Sequence, residues 1–277
     1  MKIFISADME GVNGLTGPED VIPTGRHYQQ GRERMTAEVN AAAAGLLEGG
    51  AEEIVVIDAH EDADNLCIEK LHPKISFIRG GSRNLSMVEG IDETFQGLVC
   101  LGYHAKFGTP HAVMDHTYDP STIRDFTING VSYGELGVNS LVAASYGVPL
   151  IMATGDAALT KEAKAYDERC VTVAVKEGIG RFCAKCLPLQ KSLALIQETA
   201  REAALSIDRF QAAEVPKNLL MGVTFQQVNM ADCVMKITGV ERTGPMSISL
   251  KVRDMKELMY MRQVVFYMAG ESFDPRF

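Results

Sequence analysis

The chain has 277 residues, 46% of them hydrophobic and 23% charged, with a formal net charge of −9 at pH 7. That length holds one large core, or a large domain with a smaller one, and the composition is that of a globular protein rather than a disordered one. The acidic balance argues against a nucleic-acid partner, since no basic stripe is present to neutralise phosphates, and no apolar stretch reaches membrane-spanning length. The N-terminus carries no signal-peptide pattern, so a cytoplasmic location is expected, without membrane association.

Residues 1–7 form an apolar run that reads as a buried strand and stops at Asp8-Met9-Glu10. The glycine-rich loop over 11–18 lacks the Gly-Lys-Ser/Thr ending of a phosphate-binding loop. A helix is predicted over 31–48, where Met35, Val39, Ala42 and Leu46 recur at helical spacing and Gly49-Gly50 supplies the stop. The next strand, 54–57, ends at Asp58-Ala59-His60, and strand, helix, strand in this order is a βαβ unit with parallel strands and a right-handed crossover. Further strands are predicted at 75–78 and at 97–102, the latter ending in Tyr103-His104. A strand at 125–128 meets the hairpin-type turn Asn129-Gly130, and a helix over 134–146 places Glu135 in its first turn. Strands at 149–153 and 171–175 flank a helix over 157–165, and a long amphipathic helix covers 191–205.

From about residue 216 the texture changes to strands at 219–225 and 246–252, with helical stretches at 226–230 and 254–268. The expected fold is α/β, a mostly parallel sheet with flanking helices plus a smaller C-terminal α+β lobe. On this reading residues 1–215 form a metal-binding catalytic domain, and 216–277 a smaller lobe or an extension of the same sheet.

Three apolar strands thus deliver Asp8 and Glu10, Asp58 and His60, and His104 to their carboxyl ends, where open α/β sheets gather ligands. Residues i and i+2 of an extended strand end face the same side, so Asp8 and Glu10 can share a cavity, and a cation removes their mutual repulsion. Imidazole combined with carboxylate suits zinc. The bland alternative for the pair is a helix cap or an ion pair with Arg32 or Arg34. Asp58 fits a supporting role, holding a histidine's distal nitrogen or a loop amide. His27 and His72 read as structural or surface residues, Glu135 alone could be a favourable charge at a helix start, and His111 and His116 lie on a loop able to reach the site. The six cysteines form no disulfide framework; Cys183 and Cys186 have redox or zinc-knuckle spacing, but no second pair completes a four-sulfur site, and they receive no role.

Ser6-Ala7-Asp8-Met9-Glu10-Gly11-Val12, Asp58-Ala59-His60, Leu71-His72-Pro73, Ser86-Met87-Val88-Glu89-Gly90, Leu101-Gly102-Tyr103-His104-Ala105 and Val113-Met114-Asp115-His116-Thr117 together resemble the zinc-dependent D-aminopeptidases encoded with bacterial dipeptide-transport systems. Gly134-Glu135-Leu136-Gly137-Val138-Asn139 and Gly155-Asp156 extend the resemblance over roughly the first 160 residues. It implies two zinc ions per subunit, with Asp8 bridging them and Glu10, His60, His104 and Glu135 completing the ligand set. It assigns His116 the catalytic role, described in the family as that of a nucleophile. The chemistry of imidazole near an activated water favours a proton shuttle or a transition-state partner. The implied activity is hydrolysis of N-terminal D-amino acids from short peptides through a metal-bound hydroxide, in a homo-oligomer of ring-shaped, decameric form. Two alternatives share the ligand set: another metal-dependent amidohydrolase or phosphoesterase, and a non-catalytic metal- or peptide-binding homologue.

Overall fold

A computed structural model describes residues 1–276. The first half contains β1 (Lys2–Ala7), α1 (Pro18–Val21), α2 (Tyr28–Glu48), β2 (Glu53–Asp58), β3 (Ile75–Ile78), β4 (Gly97–Tyr103), β5 (Ile123–Ile128), β6 (Val131–Ser132) and α3 (Glu135–Ser145). The second contains β7 (Leu150–Asp156), α4 (Ala157–Tyr166), β8 (Val171–Gly180), β9 (Cys183–Cys186), α5 (Leu189–Leu205), β10 (Leu220–Phe225), α6 (Val228–Val234), β11 (Val240–Gly244), β12 (Ser247–Lys251) and α7 (Met255–Glu271).

Among the described residues the strands form a seven-stranded sheet ordered β3-β2-β1-β4-β7-β8-β9 and a five-stranded sheet ordered β11-β12-β10-β5-β6. The first is parallel except for its edge strand β9, and the pairings in the second are antiparallel. This is the expected α/β architecture with a mostly parallel sheet. A sheet covered on both faces has strands that read as apolar runs, which is why β1, β4 and β7 are so plain in the sequence.

Alternation along β1 sorts the two cores. Ile3 and Ile5 face α2 and α5, packing with Met35, Val39, Leu46 and Ile196. Phe4 faces the opposite way, into a core shared by α3, α7 and the second sheet through Leu136, Leu258, Phe126 and Val223. The strands of residues 123–132 therefore pair with those of the tail: β5 is hydrogen-bonded to β10, with Val223 opposite Phe126. Among the described residues no helix is long and apolar enough to cross a membrane.

Candidate metal centre

Successive strands step outward from β1 to β2 to β3, and the chain then returns to place β4 on the other side of β1. That reversal opens a crevice beyond the carboxyl ends of β1 and β4, the position where such sheets bind ligands. Asp8 leaves β1 with its amide bonded to the Leu101 carbonyl at 2.8 Å, and Gly11 bonds the Gly102 carbonyl at 2.7 Å. The backbones run so close that a Cβ on Gly11 would lie 2.0 Å from the Tyr103 carbonyl oxygen, so only glycine fits there. Into the crevice project Asp8 and Glu10 after β1, His60 after β2, His104 after β4, His116 from the following loop and Glu135 from the first turn of α3. They line one cavity of about 490 Å³.

The hydrogen bonds define which imidazole nitrogens face inward. His60 Nε2 lies 3.0 Å from the Val21 carbonyl, His104 Nδ1 lies 3.1 Å from the Ala105 carbonyl and His116 Nδ1 lies 2.7 Å from the Met114 carbonyl. A carbonyl only accepts, so each of these nitrogens carries the proton, and a neutral ring then presents a bare lone pair from the other nitrogen. The bare nitrogens point at carboxylates. His60 Nδ1 is 3.3 Å from Asp8 Oδ1 and 3.1 Å from Glu10 Oε2. His104 Nε2 is 3.5 Å from Asp8 Oδ2 and 3.3 Å from Glu135 Oε1. His116 Nε2 stands between Glu10 Oε1 at 4.0 Å and Glu135 Oε1 at 3.9 Å, its ring stacked 3.8 Å from that of His104. Asp8 thus directs one oxygen to the Glu10 and His60 side and the other to the His104 and Glu135 side.

Lone pairs facing lone pairs in a buried site need a proton or a cation between them. Asp8 Oδ2, Glu10 Oε2 and His104 Nε2 are buried without a hydrogen-bond partner among the described residues. Burial and then Glu10 push Asp8 up to about 7. Burial also pushes Glu10 up, yet the facing His60, His116 and His104 outweigh it and hold Glu10 well below the ordinary carboxylate value. His60 and His104 are raised well above the usual imidazole value despite burial, His60 by Glu10 and Asp8 and His104 by Glu135 and Asp8. His116 is lowered, by burial and by His104. The donor set, oxygen and imidazole nitrogen with unsatisfied atoms converging, fits a borderline-soft divalent ion such as zinc, and binding there displaces the protons these groups would otherwise share.

The protein-family comparison matches a model described as D-aminopeptidase over residues 1–264. The chain belongs to the D-aminopeptidase family. It is therefore an enzyme, a peptidase of the metal-dependent class. A D-aminopeptidase from Bacillus subtilis (strain 168) is 37% identical over 258 residues, 93% of either chain. The solved structure of the Zn-dependent D-aminopeptidase DppA from Bacillus subtilis, described as a self-compartmentalizing protease, superposes with a TM-score of 0.94 at 36% identity, covering 98% of both chains.

In this D-aminopeptidase family member the residues behind the cavity are as organised as those lining it. Asp58 accepts the amides of Asn65 and Leu66 at 2.6 and 2.7 Å and the Asn65 side chain at 2.9 Å, fastening the loop that bears His60; of the two supporting roles expected for it, the loop amide is the one observed. Arg83 ties the same loop through the carbonyls of Asp58 and Glu61. Asp156 caps α4 and also accepts the Val113 amide at 2.6 Å, holding the segment before His116. Met114 and Tyr118, two residues either side of His116, have φ of 52° and 62°, the left-handed strain that functional loops tolerate.

Lys176 is fully buried in β8 and donates to the carbonyls of Glu10, Val12 and Leu15, clamping the loop that follows β1. Sequence reasoning missed it, and missed Arg262 of α7, which lines the cavity. His111 does not join the site: it is exposed and lines a separate cavity with Lys106 and Glu162. His27 is exposed and His72 half-buried, and neither lines the cavity around Asp8. Cys183 and Cys186 lie on the edge strand β9, the first exposed and the second half-buried, as free thiols.

Proposed function

We propose that this chain is a zinc aminopeptidase that removes N-terminal D-amino acids from short peptides, using two zinc ions per subunit. The carrying observation is the split orientation of Asp8, whose Oδ1 faces His60 and whose Oδ2 faces His104. On this reading Asp8, Glu10 and His60 would hold one ion, and Asp8, His104 and Glu135 the other. When bound, zinc supplies a Lewis acid for the scissile carbonyl and lowers the pKa of a water for attack at neutral pH. His116, fixed by the Met114 carbonyl and with its basicity lowered by burial, would take the proton of the attacking water on Nε2 and return it to the departing amine. Glu61 and Asp119 line the cavity outside the ligand set; Asp119 is engaged by Ser121 and Thr122, which leaves Glu61, next to His60, as the better placed to face the substrate's ammonium group. The preference for D-residues, and assembly into a closed homo-oligomer, are carried over from the Bacillus subtilis relatives.

Metal analysis of the purified protein, paired with turnover of matched D- and L-alanyl peptides, tests this reading. About two zinc ions per chain and D-selective release of the N-terminal residue are expected. Fewer than about one metal per chain with Asp8 and His104 intact overturns it. In the same assay His116→Ala is expected to keep its zinc and lose at least about a hundredfold in kcat. Retained turnover sinks the role of His116.

A further inference from the structure

The cavity has a second charged wall. Arg262 enters it from α7 and is only 7% exposed. Its guanidinium lies 4.2 Å from the centroid of the Tyr118 ring and 5.2 Å from that of Phe266, and Nε is buried without a hydrogen-bond partner. Two other arginines in the wall are engaged elsewhere. Arg181 pairs with Asp115 at 3.1 Å, and Arg83 donates to the carbonyls of Asp58 and Glu61. Among the described residues Arg262 has no carboxylate within ion-pair distance. Glu135, the acid beyond Tyr118, is committed to His104 and to the Tyr118 amide.

A guanidinium cannot escape burial by changing its protonation, as a lysine does by losing a proton and a carboxylate by gaining one, and desolvating it without an anion is costly. Stacking on two rings offsets part of that cost but leaves the planar fork of donors unused. Such a group is suited to a planar anion brought by a ligand. The position of Arg262 says which end of the ligand that is. Tyr118 spans the distance from Glu135, which its amide contacts, to Arg262, which covers its ring. An extended dipeptide covers about 7 Å, enough to lie along a single residue of the cavity wall. A peptide with its amino end at the metal-ligand cluster therefore carries its carboxylate toward Arg262.

Resting on the aminopeptidase reading above, we propose that Arg262 is a specificity residue that binds the C-terminal carboxylate of the substrate, so that the enzyme selects very short peptides with a free carboxyl end. A peptide blocked at that end, or too long to place its carboxylate there, leaves the guanidinium buried and unpaired.

The test compares D-alanylglycine with D-alanylglycinamide, which differ only at that carboxyl group, on the zinc-loaded enzyme. The wild type is expected to favour the acid, through KM. Arg262→Met is expected to raise KM for the acid about 10- to 100-fold and to bring the acid-to-amide ratio of kcat/KM toward one. Arg262→Lys, which keeps the charge and places less demand on packing, is expected to recover part of the preference. A wild type indifferent to the amide overturns the proposal. So do variants that lose activity on acid and amide in equal proportion with zinc content preserved, because that is the signature of a purely structural arginine. If the wild type cleaves neither peptide, the aminopeptidase reading has failed, and calorimetric binding of the same two peptides still decides the role of Arg262. Tighter binding of the acid, abolished in Arg262→Met, supports it; equal binding of the two by the wild type refutes it.

Discussion

The two walls of the cavity solve opposite problems with opposite means. On the wall built by the parallel sheet, Asp8, Glu10 and Glu135 crowd against three imidazoles, and the excess is of electron pairs, which a cation removes. On the wall contributed by α7, one guanidinium is buried against aromatic rings, and the excess is of positive charge, which an anion removes. The first wall is crowded and tied at every backbone exit. The second rests on a single side chain held by packing. The difference predicts where damage is catastrophic and where it only redirects selectivity.

The largest effect is expected at the centre of the first wall. Asp8→Asn removes the carboxylate whose two oxygens face the two halves of the cluster, so zinc content should fall to about one ion per chain or less and turnover by about a thousandfold or more. Glu10→Gln should cost the ion on its own side only, with Asp8, His104 and Glu135 still holding the other. Zinc analysis and kcat measured on the two variants side by side separate them. If Asp8→Asn kept its full metal content while Glu10→Gln lost it, the shared role would belong to Glu10 instead.

Much of the first wall was legible in the sequence because of its architecture. Strands buried on both faces leave apolar runs, and such runs ending in Asp8, His60 and His104 announce a shared ligand edge without reference to any one fold. The second wall left no comparable trace. Arg262 reads as an ordinary polar position on an amphipathic helix, and its burial involves Tyr118, about 140 residues away in the chain, a contact no local pattern encodes. Strands β9 and β11 escaped prediction for a related reason, being short edge strands of mixed polarity. Lys176 was hidden by alternation itself. Val173 and Val175 point to one face, so Lys176 should point away and read as a surface lysine, whereas it lies buried under the loop after β1.

That clamp gives the next prediction. Lys176→Met keeps the volume of the stem but leaves the carbonyls of Glu10, Val12 and Leu15 without their shared donor. A loss of about 3 kcal/mol in stability is expected, read by thermal or urea unfolding of the zinc-free protein. Zinc affinity should also fall about 10- to 100-fold, because the loop carrying Glu10 is no longer held. An unchanged affinity with lowered stability would make Lys176 a support for the fold and not for the site.

The smallest effect concerns the same loop from its other side, and it is a matter of pH. Glu38, buried in α2, accepts the Asn13 amide at 2.9 Å through Oε1, while Oε2 has no partner among the described residues. Burial raises its carboxyl from 4.5 to about 7, against the pull of the Asn13 amide and Lys176. A carboxyl whose folded value lies above its unfolded one binds its proton more tightly when folded. Its contribution is therefore complete below about pH 4.5 and is lost as the pH rises through about 7. A displacement of that size corresponds to about 3 kcal/mol, an order of magnitude rather than a fine value. Glu38→Gln keeps an acceptor for Asn13 and cannot ionise, so the variant should gain on the wild type by up to that amount between about pH 4.5 and about 7. Unfolding free energies of both proteins across this window give the answer. Parallel curves would mean that Glu38 is already ionised when folded, with Lys176 as its counter-charge, and the loop would then be held by an ion pair across its two sides.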